Sequence, residues 1–141
     1  MPSFTVSIDE LASAGPLVGV VLSPAPFLMS RLKSDGREVY SDHVTAMIDT
    51  GASHSVMASQ LPFISQLTPA GTTDVATPTS LTVTCYEYRV LVTFPSDVEI
   101  ESNIIAVPYL TGGVQCLIGR DILRHAVLVY NGTEKLITMS F

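Results

Sequence analysis

"AMIDTGASHSV", Ala46 to Val56, ends an apolar run on a carboxylate and then turns. Asp49 follows Ala46, Met47 and Ile48 and comes directly before Thr50 and Gly51. A buried strand delivers a carboxylate to a fixed place, and the glycine and small residues after it, Ala52 and Ser53, let backbone pass close by. The plain alternative is a strand end followed by an Asx-type turn with Gly51 at positive φ. A tripeptide separates these two readings poorly, so its surroundings decide.

Working outward, strand signals dominate. "HVTAMI" (43–48) reads as the strand that ends at Asp49, and "SVMA" (55–58) as a short strand after it. Upstream, "FTVSI" (4–8) and "LVGVVL" (17–22) are short and β-branched, separated by Gly15-Pro16. Ser23 to Gly36 is rich in Pro and Ser and reads as loop. Downstream, "SQLPFISQL" (59–67) holds a helical turn with Ser59 as N-cap and Pro62 in the first turn. "TPAGTTDVATPTS" (68–80) forms the arm or tip of a hairpin that returns through "LTVTCYEYRVLVTF" (81–94). Strict alternation there places Tyr86, Tyr88, Val90, Val92 and Phe94 on one buried face. "NIIAVPYL" (103–110) is another strand, Thr111-Gly112-Gly113 a turn, "QCLIG" (115–119) a brief apolar run and "RDILRH" (120–125) the best helix candidate. "AVLVYNGTEKLITMSF" (126–141) reads as a hairpin turning at Asn131-Gly132. The expected domain is all-β, with about eight short strands and one short helix near its C-terminus, and it spans residues 1–141.

Composition narrows the function classes. With 47% hydrophobic and 14% charged residues, the chain carries enough apolar side chains for a core. Its net charge of −6 and scattered Lys and Arg exclude a phosphate-binding footprint, so no nucleic-acid partner is expected. No window approaches the roughly 18 apolar residues of a membrane span, and no basic, apolar leader opens the sequence. A cytoplasmic protein without membrane contact is expected. Cys85 and Cys116 lack a second Cys or a His at metal spacing, and His43 and His125 have no companion ligand. The cysteines read as buried thiols in a reducing compartment, and no metal or cofactor is expected.

Some seventy residues after Asp49 comes "CLIGRDIL" (116–123): an apolar pair, a glycine, an Arg-Asp pair and a helix start. Both segments, in this order within a chain of short strands, resemble the retropepsin-type aspartic proteases, the single-lobed class. "IDTGAS" (48–53) is similar to that family's catalytic loop and "LIGRDIL" (117–123) to its second signature, over roughly residues 40–130. The resemblance implies a single-lobed acid-protease barrel with a flap hairpin. It implies a catalytic Asp49, a loop shaped by Thr50 and Gly51 and supported by Leu117, Ile118 and Gly119, and a cleft lined by Ala52, Ser53 and His54. Two departures stand out. Retroviral members often carry an Asp where this chain has Ser53, and that Asp pairs with the arginine matching Arg120. Without it, Arg120 is expected to bond carbonyls or another acid. The candidate flap, Ala70 to Ser80, holds one glycine, Gly71, with Pro69 and Pro78 at or near it, which implies a stiffer flap or a differently placed one.

Aspartic proteolysis needs two carboxylates that share a proton. The chain holds seven aspartates, of which only Asp49 lies in Asp-Thr-Gly, and it has no internal repeat. Asp121 opens a helix, where an acid is favoured by the dipole and reads as structural. The partner carboxylate is therefore expected from a second copy of the chain, making the protein a homodimer with a peptide or protein substrate. "KLITMSF" (135–141) is strand-like and apolar to its last residue, so it is expected at the dimer interface, the alternative being a strand internal to the subunit. The rival functional reading is a retropepsin fold used for dimerisation or peptide binding with little or no proteolysis. An intact Asp49-Thr50-Gly51 favours the enzyme.

Overall fold

The strand expected over residues 81–94 is realised as one 13-residue strand, and the length of that strand organises the architecture. The computed structural model describes residues 1–77, 79 and 81–141. Among these, ten strands form: β1 (Ser3–Ser7), β2 (Leu17–Pro24), β3 (Asp42–Ile48), β4 (Val56–Ala58), β5 (Gly71–Ala76), β6 (Thr82–Phe94), β7 (Val98–Val107), β8 (Cys116–Ile118), β9 (Val127–Asn131) and β10 (Leu136–Ser140). Three short α-helices accompany them: α1 (Leu11–Ala14), α2 (Pro26–Ser34) and α3 (Arg120–Leu123).

One edge of β6 pairs with β7 from Glu87 to Phe94. Its other edge is shared. Thr82–Glu87 pairs with β5, and Val90–Thr93 pairs with β2. The β2–β6 pairing closes the ring β2-β3-β8-β4-β7-β6 into a six-stranded barrel, from which the β5–β6 hairpin projects. Full closure removes the exposed edges that an open sheet would leave. A separate three-stranded sheet, in the order β1-β10-β9, packs across the barrel.

The core follows the pleat. Tyr88, Val90, Val92 and Phe94 of β6 point inward and meet Val18, Val20 and Leu22 of β2, which obey the same period of two. From the second sheet, Phe4, Ile137 and Met139 complete this core, with the Phe4 and Phe94 rings stacked at 5.4 Å. Each such buried side chain contributes about 1.5–3 kcal/mol relative to exposure.

Several expectations are corrected. Tyr86 is 55% exposed and not on the buried face. At Glu87 the strand leaves the barrel for the hairpin, and Cys85 joins a second apolar cluster with Ile105 and Val107. The stretch 23–36, expected as loop, contains α2: Pro26 stands in the first turn, where its missing N–H costs nothing, and Leu32 is buried. The helix expected near the C-terminus is therefore one of three. Ser59 caps nothing; a 3₁₀ turn starts instead at Pro62, behind Leu61. The last hairpin turns through four residues, Gly132 to Lys135, with Lys135 at φ +56°. There Asn131 accepts the Glu134 N–H on its side chain, so it serves as an Asx brace and not as a two-residue turn. "KLITMSF", expected at the dimer interface, instead forms a strand internal to the subunit. β10 is paired on both edges within the chain, and Ile137 and Met139 are fully buried.

Candidate active site

β3 ends where the sequence places it. Ile48 is buried, and the Asp49 N–H donates to the Ile118 carbonyl at 2.9 Å, so β8 fixes the residue that carries the carboxylate. β3 and β8 run parallel, with Met47 opposite Leu117 and Ile48 opposite Ile118; β4 packs antiparallel on the far side of β8. The catalytic-loop candidate is thus held over three neighbouring strands, β3-β8-β4.

Asp49 is half-buried, and its Oδ1 accepts the Gly51 N–H at 2.9 Å. A Cβ at position 51 would lie 3.1 Å from that oxygen, so the glycine serves close approach and not positive φ. The Ala52 N–H donates back to the Asp49 carbonyl at 3.2 Å. Thr50, Ser53 and His54 are exposed, and the Ser53 hydroxyl and His54 Nδ1 share a hydrogen bond of 3.0 Å.

The second signature grips this loop at several points. The Arg120 N–H donates to the Ala52 carbonyl at 2.8 Å, and the Arg120 guanidinium donates to the Thr50 carbonyl at 2.9 Å. The Arg120 guanidinium therefore bonds a single carbonyl, that of Thr50, where an acid at position 53 is absent. Thr50 is braced through its backbone oxygen. Gly119 sits against the returning chain so tightly that a Cβ there would stand 2.7 Å from both the carbonyl carbon and oxygen of His54.

Sequence reasoning missed the residue at the centre of this brace. Ser55 is fully buried; its hydroxyl accepts the Gly119 N–H at 2.9 Å and donates to Asp121 Oδ1 at 2.7 Å. Asp121 Oδ2 accepts the Ser55 N–H, and Oδ1 also accepts the Ile122 N–H. Three donors occupy the Asp121 carboxylate, which suits a structural role. Its main partner is Ser55, where the chain returns from the Asp49 loop, and not a helix dipole, since α3 is a single turn. No local signal links the two residues, which stand 66 positions apart. Ser55→Ala strands the Gly119 N–H in the interior, which costs about 1–3 kcal/mol. Urea unfolding is expected to show that loss, with the N–H of Gly119 gaining hydrogen exchange.

Cys116 lies under the same brace, wholly buried, while Cys85 is buried below the hairpin; both are free thiols. Burial, with the Asp121 carboxylate as a smaller contributor, pushes the Cys116 thiol up to about 12. The folded state holds this proton where the unfolded state has lost it, so its stabilising effect is complete below the unfolded pKa. Stability is then expected to fall by about 1.4 kcal/mol per pH unit from roughly 9 toward 12. The Cys116→Ala variant should lack that slope in denaturation curves taken across the range. A thiol reagent at pH 8 should label neither cysteine before unfolding and both after.

Beside the loop runs an apolar wall. Val56, the first residue of β4, packs on the Cys85–Ile105–Val107 cluster together with Val75 and Val83 of the hairpin. The hairpin thus shares one apolar surface with the strand that leaves the Asp49 loop. In it, Thr84 donates to Asp74 across the strands, and the Thr77 N–H and hydroxyl both reach the Leu81 carbonyl. The expectations resting on Pro78 and Ser80 at the tip lie outside the described residues. Among the described residues, no three His, Cys, Asp or Glu side chains are grouped to hold a metal, and no helix is long and apolar enough to cross a membrane. Compared with models of known protein families and with curated proteins, the chain matches none of them.

Proposed function

We propose that two copies of this chain form an aspartic endopeptidase of the retropepsin-like type, with one Asp49 from each. The observation that carries the reading is the brace: a half-exposed carboxylate at a strand end, its loop tied at Asp49, Thr50 and Ala52 to Ile118 and Arg120. A structural turn has no need of a second segment holding it at three backbone positions. The exposure of Thr50, Gly51, Ser53 and His54 around a single carboxylate suits half a site that a second copy completes.

The chemistry follows from the pair. Two carboxylates about 3 Å apart hold one proton between them. The ionised Asp49 takes a proton from water as the water oxygen attacks the scissile carbonyl carbon. The protonated Asp49 gives its proton to the carbonyl oxygen, and a neutral gem-diol forms. When the C–N bond breaks, the first Asp49 passes its proton to the leaving nitrogen. A gem-diol hydroxyl returns its proton to the second, so the pair again holds one. Val56, Val75 and Val83, the half-buried members of the apolar wall, suit a substrate with apolar side chains flanking the bond.

Cleavage of a peptide library between about pH 4 and 7, with Asp49→Asn as comparison, tests the proposal. Cleavage beside apolar residues, lost in the variant, supports it. Binding of peptides without cleavage by the unaltered protein supports the binding-module reading instead.

A further inference from the structure

β2 is shared between two partners, and one of them leaves it early. It pairs with β3 over Leu17–Leu22 but with β6 only over Val21–Pro24. The Ile48 N–H donates to the Pro16 carbonyl, so every second residue of this ladder, Val18, Val20 and Leu22, bonds β3. Gly19 therefore turns its N–H and C=O the other way. Thr45, opposite Gly19, bonds Gln115 through both its N–H and its C=O, as the same alternation requires. On the side that Gly19 faces, β6 has already ended. Pro95 brings no N–H to continue the ladder, and the chain turns off through Ser96 and Asp97 at φ +61° and +56°. Among the described residues, neither backbone group of Gly19 has a partner.

The gap opens into a groove of about 460 Å³ on the outer face of the barrel. Gly19 is exposed at its floor, with His43 and Gln115 toward β3 and Thr93, Ser96 and Asp97 toward β6. A glycine inside a strand weakens it, and commonly marks a place where another backbone comes close. Gly119 has such a neighbour within the chain. Gly19 has none, and a Cβ there would meet nothing within 4 Å.

We infer that this groove binds an extended peptide segment of another protein. The segment adds to β2 at Gly19, in the place that β6 vacates, and carries a Lys or Arg side chain toward Asp97. Two observations select this occupant. An unpaired N–H and C=O on one strand edge are the groups by which a sheet takes up a further strand. The charge is complementary as well. Asp97 lines the groove, Glu99 stands beside it opposite Thr93, and among the described residues no Lys or Arg lines it. A second copy of this chain, at a net charge of −6, is repelled by such a rim. His43 lies six residues before Asp49 on β3, so the groove is about 20 Å along the strand from that carboxylate. The inference does not depend on what Asp49 does.

The test uses the full chain and three capped hexapeptides. The probe alternates Lys and Val; the controls are its Glu-Val counterpart and a Lys-Val peptide with N-methylated backbone amides. Calorimetry reads affinity, and amide chemical shifts locate the peptide. The Lys-Val peptide is expected to bind and to move the amides of Gly19, Val21 and Thr93. Both controls are expected to bind about 10-fold more weakly or not at all. Gly19→Val fills the floor of the groove, and its Cβ enters open space, so the variant is expected to fold with undiminished stability and to lose about 10-fold in affinity. Asp97→Asn keeps a residue that tolerates positive φ, and is expected to lose about 5-fold. Shifts confined to the Asp49 loop and the hairpin overturn the inference, because they place the peptide in the other cleft. So do equal binding of either control, unchanged affinity in either variant, or failure of the Lys-Val peptide to bind.

Discussion

Asp49→Asn is expected to leave a folded protein that binds peptide and has lost cleavage by about 10⁴-fold. A positioned general acid or base contributes roughly 10²–10⁴-fold, and in the proposed dyad one substitution removes both, because the two roles would fall to two copies of one residue. The upper end of that range is therefore the expected loss. The fold should not register the change. Asp49 is half-exposed, and the Gly51 N–H that its Oδ1 accepts is equally served by the amide oxygen of Asn. Stability within about 0.5 kcal/mol of the unaltered protein is expected, as for substitutions away from core features. Thermal unfolding and peptide cleavage on the same preparation check both halves. Undiminished cleavage would remove Asp49 from the chemistry and with it the need for a second copy.

The second large effect falls on Gly119→Ala, and here stability moves first. A Cβ at this position would lie 2.7 Å from the His54 carbonyl carbon and oxygen and 3.0 Å from the Ala52 oxygen. All three atoms are backbone, so no side chain can swing aside. Overpacking costs about 1–3 kcal/mol where neighbours can adjust and more where they cannot, so a loss of about 3 kcal/mol or more is expected. The only relief is for the second signature to draw away from the loop. That would break the Arg120-to-Ala52 bond and the Gly119-to-Ser55 bond together. Urea denaturation measures the loss. A midpoint shift equivalent to less than 1 kcal/mol would show that the two segments are not locked. Gly51→Ala makes the contrast: its nearest atom is the Asp49 Oδ1 at 3.1 Å, a side-chain atom that can rotate. That variant is expected to keep most stability and lose cleavage.

Much of this was legible in the residues. The β-branched run over 17–22, the apolar run ending at Ile48 and the alternation over 81–94 mark β2, β3 and β6, because these signals are local to a strand whatever it pairs with. The pairing of "IDTGAS" with "LIGRDIL" marked both halves of the brace, since close backbone approach demands glycine and leaves a visible trace. The α2 helix was hidden because Pro and Ser read as breakers unless the proline is known to occupy the first turn. The Ser55–Asp121 contact was hidden for another reason. It joins residues 66 positions apart, and nothing local to either announces the other.

Sequence by itself determined that the chain is built of short strands, that Asp49 ends one of them on a tight loop, and that no second Asp-Thr-Gly exists to complete a pair. Those are local properties of side-chain alternation, turn chemistry and residue count. Tertiary structure alone decided which strands are neighbours. It joined β2 to β6 to close the barrel, placed β10 between β1 and β9, and turned Asp121 onto Ser55. Alternation specifies which face of a strand is buried, but a backbone N–H or C=O is the same at every position. The choice of pairing partner therefore belongs to the packing of the whole chain.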